Sequence, residues 1–426
     1  MTNHLDFLGP YNNWTGQRVV STGIPRSSYL ATLDAYCHTD SIIIVAGQRR
    51  TGKSVVLQQF IAALHEQGVD HRNILYMNMF IDDFEPLKEP KEFKAAVASW
   101  DKEISAPITT GFKYIVVDEI TEVKGWQKII ASLKEDARKR YKIIVSGSNS
   151  QLLLGDMPTE LRGRYYSLIV RGFSFAEFCR ARSCDRTLET FSDYLLTGGM
   201  PEIVMAPTAL ARGNLIRNII DSTVKKDLID RYGADPELTD KLINFMRRTF
   251  SCKFSVKSVL RQLGSNDHAK VTEHLQWIEH IYWAKFAPIY SERAKDELHR
   301  GERKVYLGDH AFTLSHKLDK GLLLENAIFN GLAAAGYDVW TYSGQAKGKQ
   351  FEIDFLAKRD SRVLYVQVAW QVGDRLSTTF EREFGNFDKI GHHKGEKMVV
   401  SMDPVLTPQA GIVHLNPHRF LEAIDG

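Results

Sequence analysis

Residues 47–54, GQRRTGKS, have the types and spacing of a loop that binds the phosphates of a nucleotide. The run 41–46 before them predicts a short buried strand, and residues 55–68 after them carry apolar side chains at helical spacing. Glycines allow the backbone N–H groups of such a loop to point inward at phosphate oxygens, at the positive end of the new helix. The sequence therefore predicts a phosphate-binding loop. An ordinary glycine turn is the disfavoured alternative, because a strand and a helix flank the motif.

Two side chains of this loop are predicted to handle the charge of the nucleotide. Lys53 would reach the β- and γ-phosphates, and the hydroxyl of Ser54 would bind Mg²⁺. ATP and Mg²⁺ are therefore the expected cofactors. The residues predicted to contact ATP are those of the loop and the start of the helix: Gly47, Gln48, Arg49, Arg50, Thr51, Gly52, Lys53, Ser54 and Val55.

A second buried strand is predicted to end in two acids, within FKYIVVDEI at residues 112–120. Asp118 would hold Mg²⁺, and Glu119 would polarise the attacking water, since phosphoryl transfer depends on positioning and charge stabilisation. A sheet-like segment, 73–79, separates this strand from the phosphate loop. Strands that alternate with helices predict a mostly parallel sheet with its ligand at the carboxyl ends of the strands.

Two further segments carry polar residues that this chemistry would use. The strand KIIVSGSNS ends at Ser148 and Asn149, and Ser148 would sense the γ-phosphate, with a plain strand-to-turn exit as the alternative. Arg162 and Arg164 precede another apolar strand. Arg164 would clamp the transferring phosphate, within one chain or across a subunit boundary, and a surface salt bridge is the open alternative.

The order of these motifs resembles that of AAA+-type ATPases of bacteria and archaea that carry a restriction-endonuclease-like domain at the C-terminus. The resemblance rests on Arg49-Arg50, VVDEI, SGSNSQLL, LRGR, FSFAEF (173–178) and YLLTGGMPEIV (194–204). It implies a P-loop ATPase core with a helical lid, and assembly as a ring or dimer. It also implies that Lys53, Glu119, Ser148 and Arg164 are catalytic. One departure is Lys226-Asp227, where the family often has Arg-Asp.

The middle of the chain is predicted to resemble a winged helix. Two short amphipathic helices, 255–263 and 268–280, flank the turn GSND, and a hairpin follows them. If the second helix entered a major groove, its polar residues would meet phosphates and base edges. A rigid spacer or a protein contact is an equally open interpretation. The polar residues in question are His268, Lys270, Thr272, His274 and Gln276.

The C-terminal segment resembles a nuclease fold that has lost its chemistry. The resemblance places Glu325, Asp354 and Gln367 at metal-ligand positions, and Ala369 where a catalytic lysine should be. Phosphodiester hydrolysis needs Mg²⁺ on anionic oxygens and a cation near the attacking water. A neutral Gln367 and an apolar Ala369 therefore predict a nuclease-inactive domain, unless a lysine from elsewhere (Lys347, Lys349 or Lys358) substitutes.

The bulk composition predicts an ordinary cytoplasmic protein. The chain has 426 residues, which at roughly 150 per domain predicts two or three domains. A net charge of +3 argues for no nucleic-acid partner by itself. We expect no membrane span, no secretory signal and reduced cysteines. The expected α/β architecture is a P-loop ATPase core at 1–170, a helical lid at 171–238, a winged-helix-like segment at 239–312 and a restriction-endonuclease-like domain at 313–426.

Three functions follow from these motifs. The first is an oligomeric, Mg²⁺-dependent ATPase that couples ATP binding and hydrolysis to the binding or remodelling of duplex or branched DNA. The second is a nucleotide-gated switch or scaffold that binds a protein partner and no DNA. The third, disfavoured by Gln367 and Ala369, is an ATP-dependent nuclease.

Overall fold

A computed structural model of the chain divides into two compact units, Met1–Arg171 and Gly172–Gly426. No helix of the described residues is both long enough and apolar enough to cross a bilayer. The structure describes residues 4–17, 23–106, 111–135, 140–148, 163–291, 301–313, 319–346, 349–390, 394–407 and 409–425.

The first unit is built on a five-stranded sheet in which all pairs are parallel. The strand order is β2-β3-β4-β1-β5, so the carboxyl ends of all five strands meet at one edge. The α/β, parallel-sheet fold class predicted from the motifs is confirmed. The strands are β1 Ile42–Ala46, β2 Ile74–Asn78, β3 Lys113–Asp118, β4 Tyr141–Gly147 and β5 Tyr165–Ile169.

Helices cover both faces of this sheet, which is why its central strands are continuously apolar rather than alternating. Every residue of β1 is buried. One apolar core contains Ile44, Met77 and Trp100, and the other contains Val45, Phe60 and Val116. The helices are α1 His4–Leu8, α2 Ser27–Cys37, α3 Lys53–Glu66, α4 Pro90–Glu103 and α5 Trp126–Glu135.

The second unit begins with a group of helices, and two of them join through a π-helical segment, Ile220–Lys225. The helices of this unit are α6 Phe175–Arg182, α7 Leu188–Thr197, α8 Pro201–Val204, α9 Ala209–Ile219, α10 Lys226–Tyr232, α11 Pro236–Thr249, α12 Val256–Leu263, α13 His268–His280, α14 Lys320–Ala334, α15 Thr378–Gly385 and α16 Pro417–Asp425.

An eight-stranded mixed sheet runs through the rest of the second unit, in the order β13-β12-β11-β10-β9-β7-β8-β6. The hairpin β7–β8 follows α13, and β7 pairs in parallel with β9. The middle and C-terminal segments of the chain therefore share one hydrogen-bonded sheet. Its strands are β6 Lys253–Ser255, β7 Ala284–Ser291, β8 Glu302–Leu307, β9 Asp338–Ala346, β10 Lys349–Arg359, β11 Arg362–Ala369, β12 Glu396–Ser401 and β13 Val413–Leu415.

The glycine pair of the TGGMPE stretch packs against a buried carboxylate of the same unit. Asp309 accepts hydrogen bonds from the N–H groups of Gly199 and Ala311, both at 2.9 Å. A Cβ built on Gly198 would lie 2.3 Å from Asp309 Oδ1, and one on Gly199 would lie 2.5 Å from the carbonyl oxygen of Phe173. These positions need glycine because the backbone approaches its neighbours this closely.

Replacing Asp309 by alanine should destabilise the second unit by on the order of 3 kcal/mol, because two buried N–H groups lose their acceptor. Urea unfolding of the full chain measures the effect. Asp193→Ala, at an exposed aspartate on α7, is the matched control and should leave the unfolding free energy nearly unchanged. Similar small effects of both substitutions would contradict the role given to Asp309.

Candidate nucleotide-binding site

The phosphate loop begins where β1 ends, and its first residue has no room for a side chain. Gly47 has a φ of +145°, and a Cβ there would lie 2.1 Å from the carbonyl oxygen of Val170. Gly52, with a φ of +95°, is the N-cap residue of α3 and directly precedes the helix. Between them, the hydroxyl of Thr51 donates to the carbonyl of Gln48 at 2.9 Å. The two glycines therefore set the curvature of the loop, as phosphate binding requires.

Lys53 is buried at the head of α3, and its ammonium faces back into the loop. Its Nζ donates to the carbonyls of Gly47 (3.1 Å) and Gln48 (3.3 Å). It also lies 3.5 Å from Glu119 Oε1. The ammonium group is thus positioned at the carboxyl edge of the sheet, between the loop and the acidic end of β3.

Asp118 ends β3 and is buried next to the predicted magnesium ligand Ser54. Three hydroxyl groups donate to its carboxylate, namely those of Ser146, Ser54 and Tyr76. Burial raises the pKa of Asp118, and the hydroxyls of Ser146 and Ser54 oppose that rise. Because the structure brings Asp118 and Ser54 together, the two predicted magnesium ligands lie at one place.

Glu119 has a backbone conformation that a residue with a side chain rarely adopts, with φ +54° and ψ +52°. Its N–H donates to Ser146 Oγ at 3.0 Å, and the hydroxyl of Ser148 lies 3.4 Å from its Oε2. The sheet brings Glu119 and Ser148 together, and Asn149 falls outside the described residues. Strain of this kind concentrates at functional sites, where the surrounding contacts hold it in place.

Ser146 is a site residue that the sequence interpretation missed. Its hydroxyl donates to Asp118 and accepts from the N–H of Glu119, so one side chain orients both acids. Ser146 is fully buried in a strand that is otherwise largely apolar. A polar residue inside such a strand was the signal that could have identified it.

Arg26 is a second residue that was missed, and it braces the loop from outside. Its guanidinium donates to the carbonyls of Thr51 (3.0 Å) and Arg171 (2.8 Å). Its own N–H donates to Gln59 Oε1 at 3.0 Å. Arg26 is almost fully buried, so these protein groups take the place that water would have as hydrogen-bond acceptors. No local sequence pattern around residue 26 predicts this contact.

Arg164 does not lie with the other predicted catalytic residues of its own chain. It immediately precedes β5, and its carbonyl accepts from the N–H of Ile42 at the start of β1. Because β1 and β5 are parallel, this is the amino edge of the sheet, opposite the phosphate loop. Its guanidinium is 61% exposed and lies 3.9 Å from Glu135. Arg162 falls outside the described residues.

The remaining predicted contacts lie along the loop and fit a nucleoside triphosphate with Mg²⁺. Gln48 is buried, and among the described residues its Nε2 has no hydrogen-bond partner. Arg50 has a φ of +67°, and Val55 is partly exposed on α3. The curved backbone, the lysine and the unpartnered donor of Gln48 suit phosphate oxygens. The hydroxyl of Ser54 beside the carboxylate of Asp118 suits a magnesium ion.

In the second unit, α13 uses its most basic residues for internal contacts. Lys270 Nζ lies 2.9 Å from Asp235 Oδ2. His274 is buried, accepts from the N–H of Asp235 at 3.1 Å and contacts the carbonyl of Lys270 at 2.8 Å. Burial lowers the pKa of His274. The exposed positions of this helix are His268, Ala269, Glu273 and Gln276.

A second cluster of charged groups is buried where the resemblance placed metal ligands. Glu325 on α14 and Asp354 on β10 both contact Lys304 Nζ, at 2.9 and 3.5 Å, and Glu352 contacts it at 3.0 Å. Gln367 accepts from the N–H of Asp354 at 3.1 Å. No group of three or more acidic, histidine or cysteine side chains among the described residues is placed to hold a metal ion.

Lys304 therefore supplies the cation of this cluster from β8, a strand of the hairpin, rather than from the position of Ala369. Of the lysines considered from sequence, Lys358 stacks over Tyr290 and Trp340, and Lys347 falls outside the described residues. Burial alone would lower the pKa of Lys304, but the surrounding carboxylates raise it above its ordinary value.

The carboxylates of the cluster outnumber its ammonium groups. Lys304 contacts all three acids, and Lys253 contacts Glu352. Burial, with the nearby charge of Asp354, raises the pKa of Glu325 to about 7 in spite of Lys304. A proton that Glu325 keeps to a higher pH than usual reduces this excess negative charge.

This proton predicts a specific pH dependence of stability. The folded-state pKa of Glu325, about 7, exceeds its ordinary value of 4.5. Its contribution to stability is therefore fully present below pH 4.5 and is lost as the pH rises through 7. The unfolding free energy of the wild type minus that of Glu325→Gln should fall as the pH is raised across this window. Urea unfolding at several pH values measures it, and a constant or rising difference would contradict the assignment.

The chain matches known families in both units. Residues 39–179 match the AAA domain family, and residues 188–320 match a domain family of unknown function. An uncharacterized protein of Haemophilus influenzae is 30% identical over 370 residues, which cover 84% of this chain and 89% of that protein. An uncharacterized protein of Methanocaldococcus jannaschii is 23% identical over 371 residues, with 82% and 78% covered.

Solved structures align with this chain at low similarity. The Walker-type ATPase of Pyrococcus abyssi aligns with a TM-score of 0.46 and 14% identity, over 68% of this chain and 94% of that chain. The Orc1 protein of Aeropyrum pernix in complex with DNA aligns with a TM-score of 0.33 and 13% identity, over 78% and 97%. Both likenesses are too weak to bear on function. From the extent and identity of its match, the chain belongs to the family of the Haemophilus influenzae protein.

Proposed function

We propose that this protein is a Mg²⁺-dependent ATPase that works as an oligomer. The observation that carries the proposal is the convergence of Lys53, Ser54, Asp118 and Glu119 at the carboxyl edge of one parallel sheet. Phosphoryl transfer to water uses these groups: a lysine and a hydroxyl at the start of a helix, and two carboxylates at the end of a neighbouring strand.

Substrate binding would draw on groups that already face the loop. The backbone N–H groups of the loop and the Nζ of Lys53 would bind the β- and γ-phosphates, with Lys53 exchanging loop carbonyls for phosphate oxygens. Ser54 and Asp118 would hold Mg²⁺, which when bound neutralises charge on the phosphate oxygens. Arg26 would keep the loop curved, because it fixes the carbonyl of Thr51.

Glu119 would hold the attacking water and accept its proton. Its backbone is held by Ser146, so the carboxylate is oriented before substrate arrives. Ser148 lies 3.4 Å from the same carboxylate and would donate either to it or to the γ-phosphate. Both contacts restrict the orientation of Glu119, and such preorganisation lowers the cost of reaching the transition state.

Arg164 would complete the site of a neighbouring copy of the chain. It lies at the amino edge of its own sheet, so it does not reach its own phosphate loop. Its guanidinium is well exposed, with Glu135 as a surface neighbour. A cation supplied across a subunit boundary is a known way to stabilise a transferring phosphate. This role supports a ring or a dimer as the active form.

The second unit would provide a binding surface without nuclease chemistry. Its middle part has the element order of a winged helix, and the C-terminal part is proposed to be a degenerate restriction-endonuclease-like domain. Lys304 occupies the carboxylate cluster, and Ala369 offers no cation. The carboxylate charge that would bind Mg²⁺ is therefore already compensated from within the chain.

DNA, duplex or branched, and a protein are the two classes of partner for this unit. The contacts of α13 favour a protein, because Lys270 and His274 are engaged with Asp235 and the exposed positions include Glu273. A helix that binds in a major groove needs exposed donors and positive charge near the phosphates. A nucleotide-gated scaffold for a protein partner is therefore the second candidate function.

Lys53→Ala and Glu119→Gln should separate nucleotide binding from hydrolysis. Lys53→Ala should abolish turnover, because the phosphates lose their buried cation. Glu119→Gln should bind ATP and lower kcat by about 10²- to 10³-fold, because the water loses its base. Phosphate release measures turnover, and equilibrium binding of a fluorescent ATP analogue measures affinity.

The control is Lys91→Ala, at an exposed lysine on α4, which should hydrolyse ATP like the wild type. Normal hydrolysis by both site variants would refute the site. The same assay with duplex and branched DNA at two salt concentrations tests the partner, since phosphate contacts make DNA binding salt-sensitive. Salt-sensitive binding or stimulation would support DNA, and its absence would support a protein partner.

Mixing two inactive variants should test whether Arg164 acts across a subunit boundary. Arg164→Ala lacks the donated cation and Lys53→Ala lacks the phosphate contact, so each alone should be inactive. Mixed in equal amounts, they should recover roughly one quarter of the wild-type activity, because random pairing of neighbours rebuilds about that share of sites. Mass measurement in ATP reports the assembly. Full activity of Arg164→Ala alone, or no recovery on mixing, would contradict the role.

A further inference from the structure

An arginine of the phosphate loop is paired with an exposed aromatic ring. Phe80 follows the end of β2 by two residues, and 49% of its surface is exposed. The Cζ of Arg49 lies 5.3 Å from the centre of this ring. The N–H of Phe80 donates to Asn78 Oδ1 at 3.0 Å, which fixes the backbone on which the ring stands. About half of the residue is exposed to solvent, so packing into a core does not account for its position.

The pair lies on the side of the loop where hydrolysis would occur. Asn78 is the register partner of Asp118, and the N–H of Met79 donates to the Asp118 carbonyl at 3.0 Å. Phe80 is therefore next in sequence to Met79, whose N–H is hydrogen-bonded to Asp118 at the acidic end of β3. Arg49 extends from the loop towards this side, whereas Arg26 binds the loop from the side of β5 and Arg171.

We propose that Arg49 is a catalytic arginine for the site of its own chain and that Phe80 is its positioning residue. The inference rests on the proposed ATPase function and adds a residue to it. A guanidinium that lies over a ring still donates its hydrogen bonds in its own plane, so it can bind phosphate oxygens while the ring holds it. Arg49 would therefore add a second cation of the same chain, besides Lys53, at the terminal phosphate.

Arg49 would act electrostatically in the reaction and would form no covalent bond. The oxygen of water forms a bond to the γ-phosphorus, the bond from that phosphorus to the β–γ bridging oxygen breaks, and Glu119 takes the proton of the water. Arg49 donates hydrogen bonds to the γ-phosphate oxygens as charge develops on them. Each site would thus hold one arginine of its own and receive Arg164 from a neighbour.

Steady-state ATP hydrolysis by four variants of the full chain tests the pair. Arg49→Ala should lower kcat by about 10²-fold with a much smaller change in KM, because the contact strengthens in the transition state. Arg49→Lys should remain well below the wild type, since an ammonium does not reproduce the planar fork. Phe80→Leu should lower kcat by about 3-fold, the value of an exposed cation–π contact, and Phe80→Tyr should retain the wild-type rate.

Arg248→Ala is the matched control, since it removes an exposed arginine on α11 that has no place in the site, and it should stay within about 2-fold of the wild type. In the double variant Arg49→Ala/Phe80→Leu, the loss should equal that of Arg49→Ala alone, because Phe80 acts through Arg49. A purely structural pair would instead raise KM or lower the melting temperature, with kcat unchanged.

The outcomes separate this inference from the proposed function. If the wild type hydrolyses ATP and Arg49→Ala keeps its kcat, the inference is refuted and the ATPase stands. Additive losses in the double variant would refute the positioning role of Phe80. If the wild type and Lys53→Ala are equally inactive, the proposed function itself fails.

Discussion

The first turn of the phosphate loop requires glycine at position 47, because the backbone there passes so close to the carbonyl of Val170 that no side chain fits. That carbonyl belongs to the chain leaving β5, so the first turn of the loop and the placement of β5 beside β1 depend on each other. Arg26 ties the same two segments together through the carbonyls of Thr51 and Arg171. The curvature of this loop therefore depends on the edge of the sheet as well as on the glycines.

The two adjacent carboxylates at this edge have different surroundings, and these surroundings suit them to different roles. Asp118 is held by hydroxyl groups and lies beside Ser54, so it suits a metal ion. Glu119 turns away in a left-handed conformation towards Lys53 and Ser148, so it suits water. Ser146 contacts both residues, and its single hydroxyl links the positions of the two acids. This arrangement is complete before substrate binds, as electrostatic catalysis requires.

The sequence predicted the parts of this site that depend on local patterns. Buried parallel strands are continuously apolar, and the glycine-lysine motif and the acid pair each follow such a strand, so Lys53, Asp118 and Glu119 were predicted as site residues from local patterns. The structure brings the three side chains together, and their roles stay predictions. Ser146, Arg26 and Lys304 were not, because their contacts join segments distant along the chain. Lys304 in particular reaches the carboxylates only because the hairpin pairs with β9, which no local periodicity indicates.

We expect the curved loop to bind a nucleoside triphosphate through Lys53 and a magnesium ion held by Ser54 and Asp118. Calorimetric titration of the full chain with a non-hydrolysable ATP analogue, in Mg²⁺ and again in excess chelator, measures this binding. One nucleotide should bind per chain in Mg²⁺, and binding should be clearly weaker after the metal is removed. Absence of any nucleotide binding in Mg²⁺ would contradict this expectation.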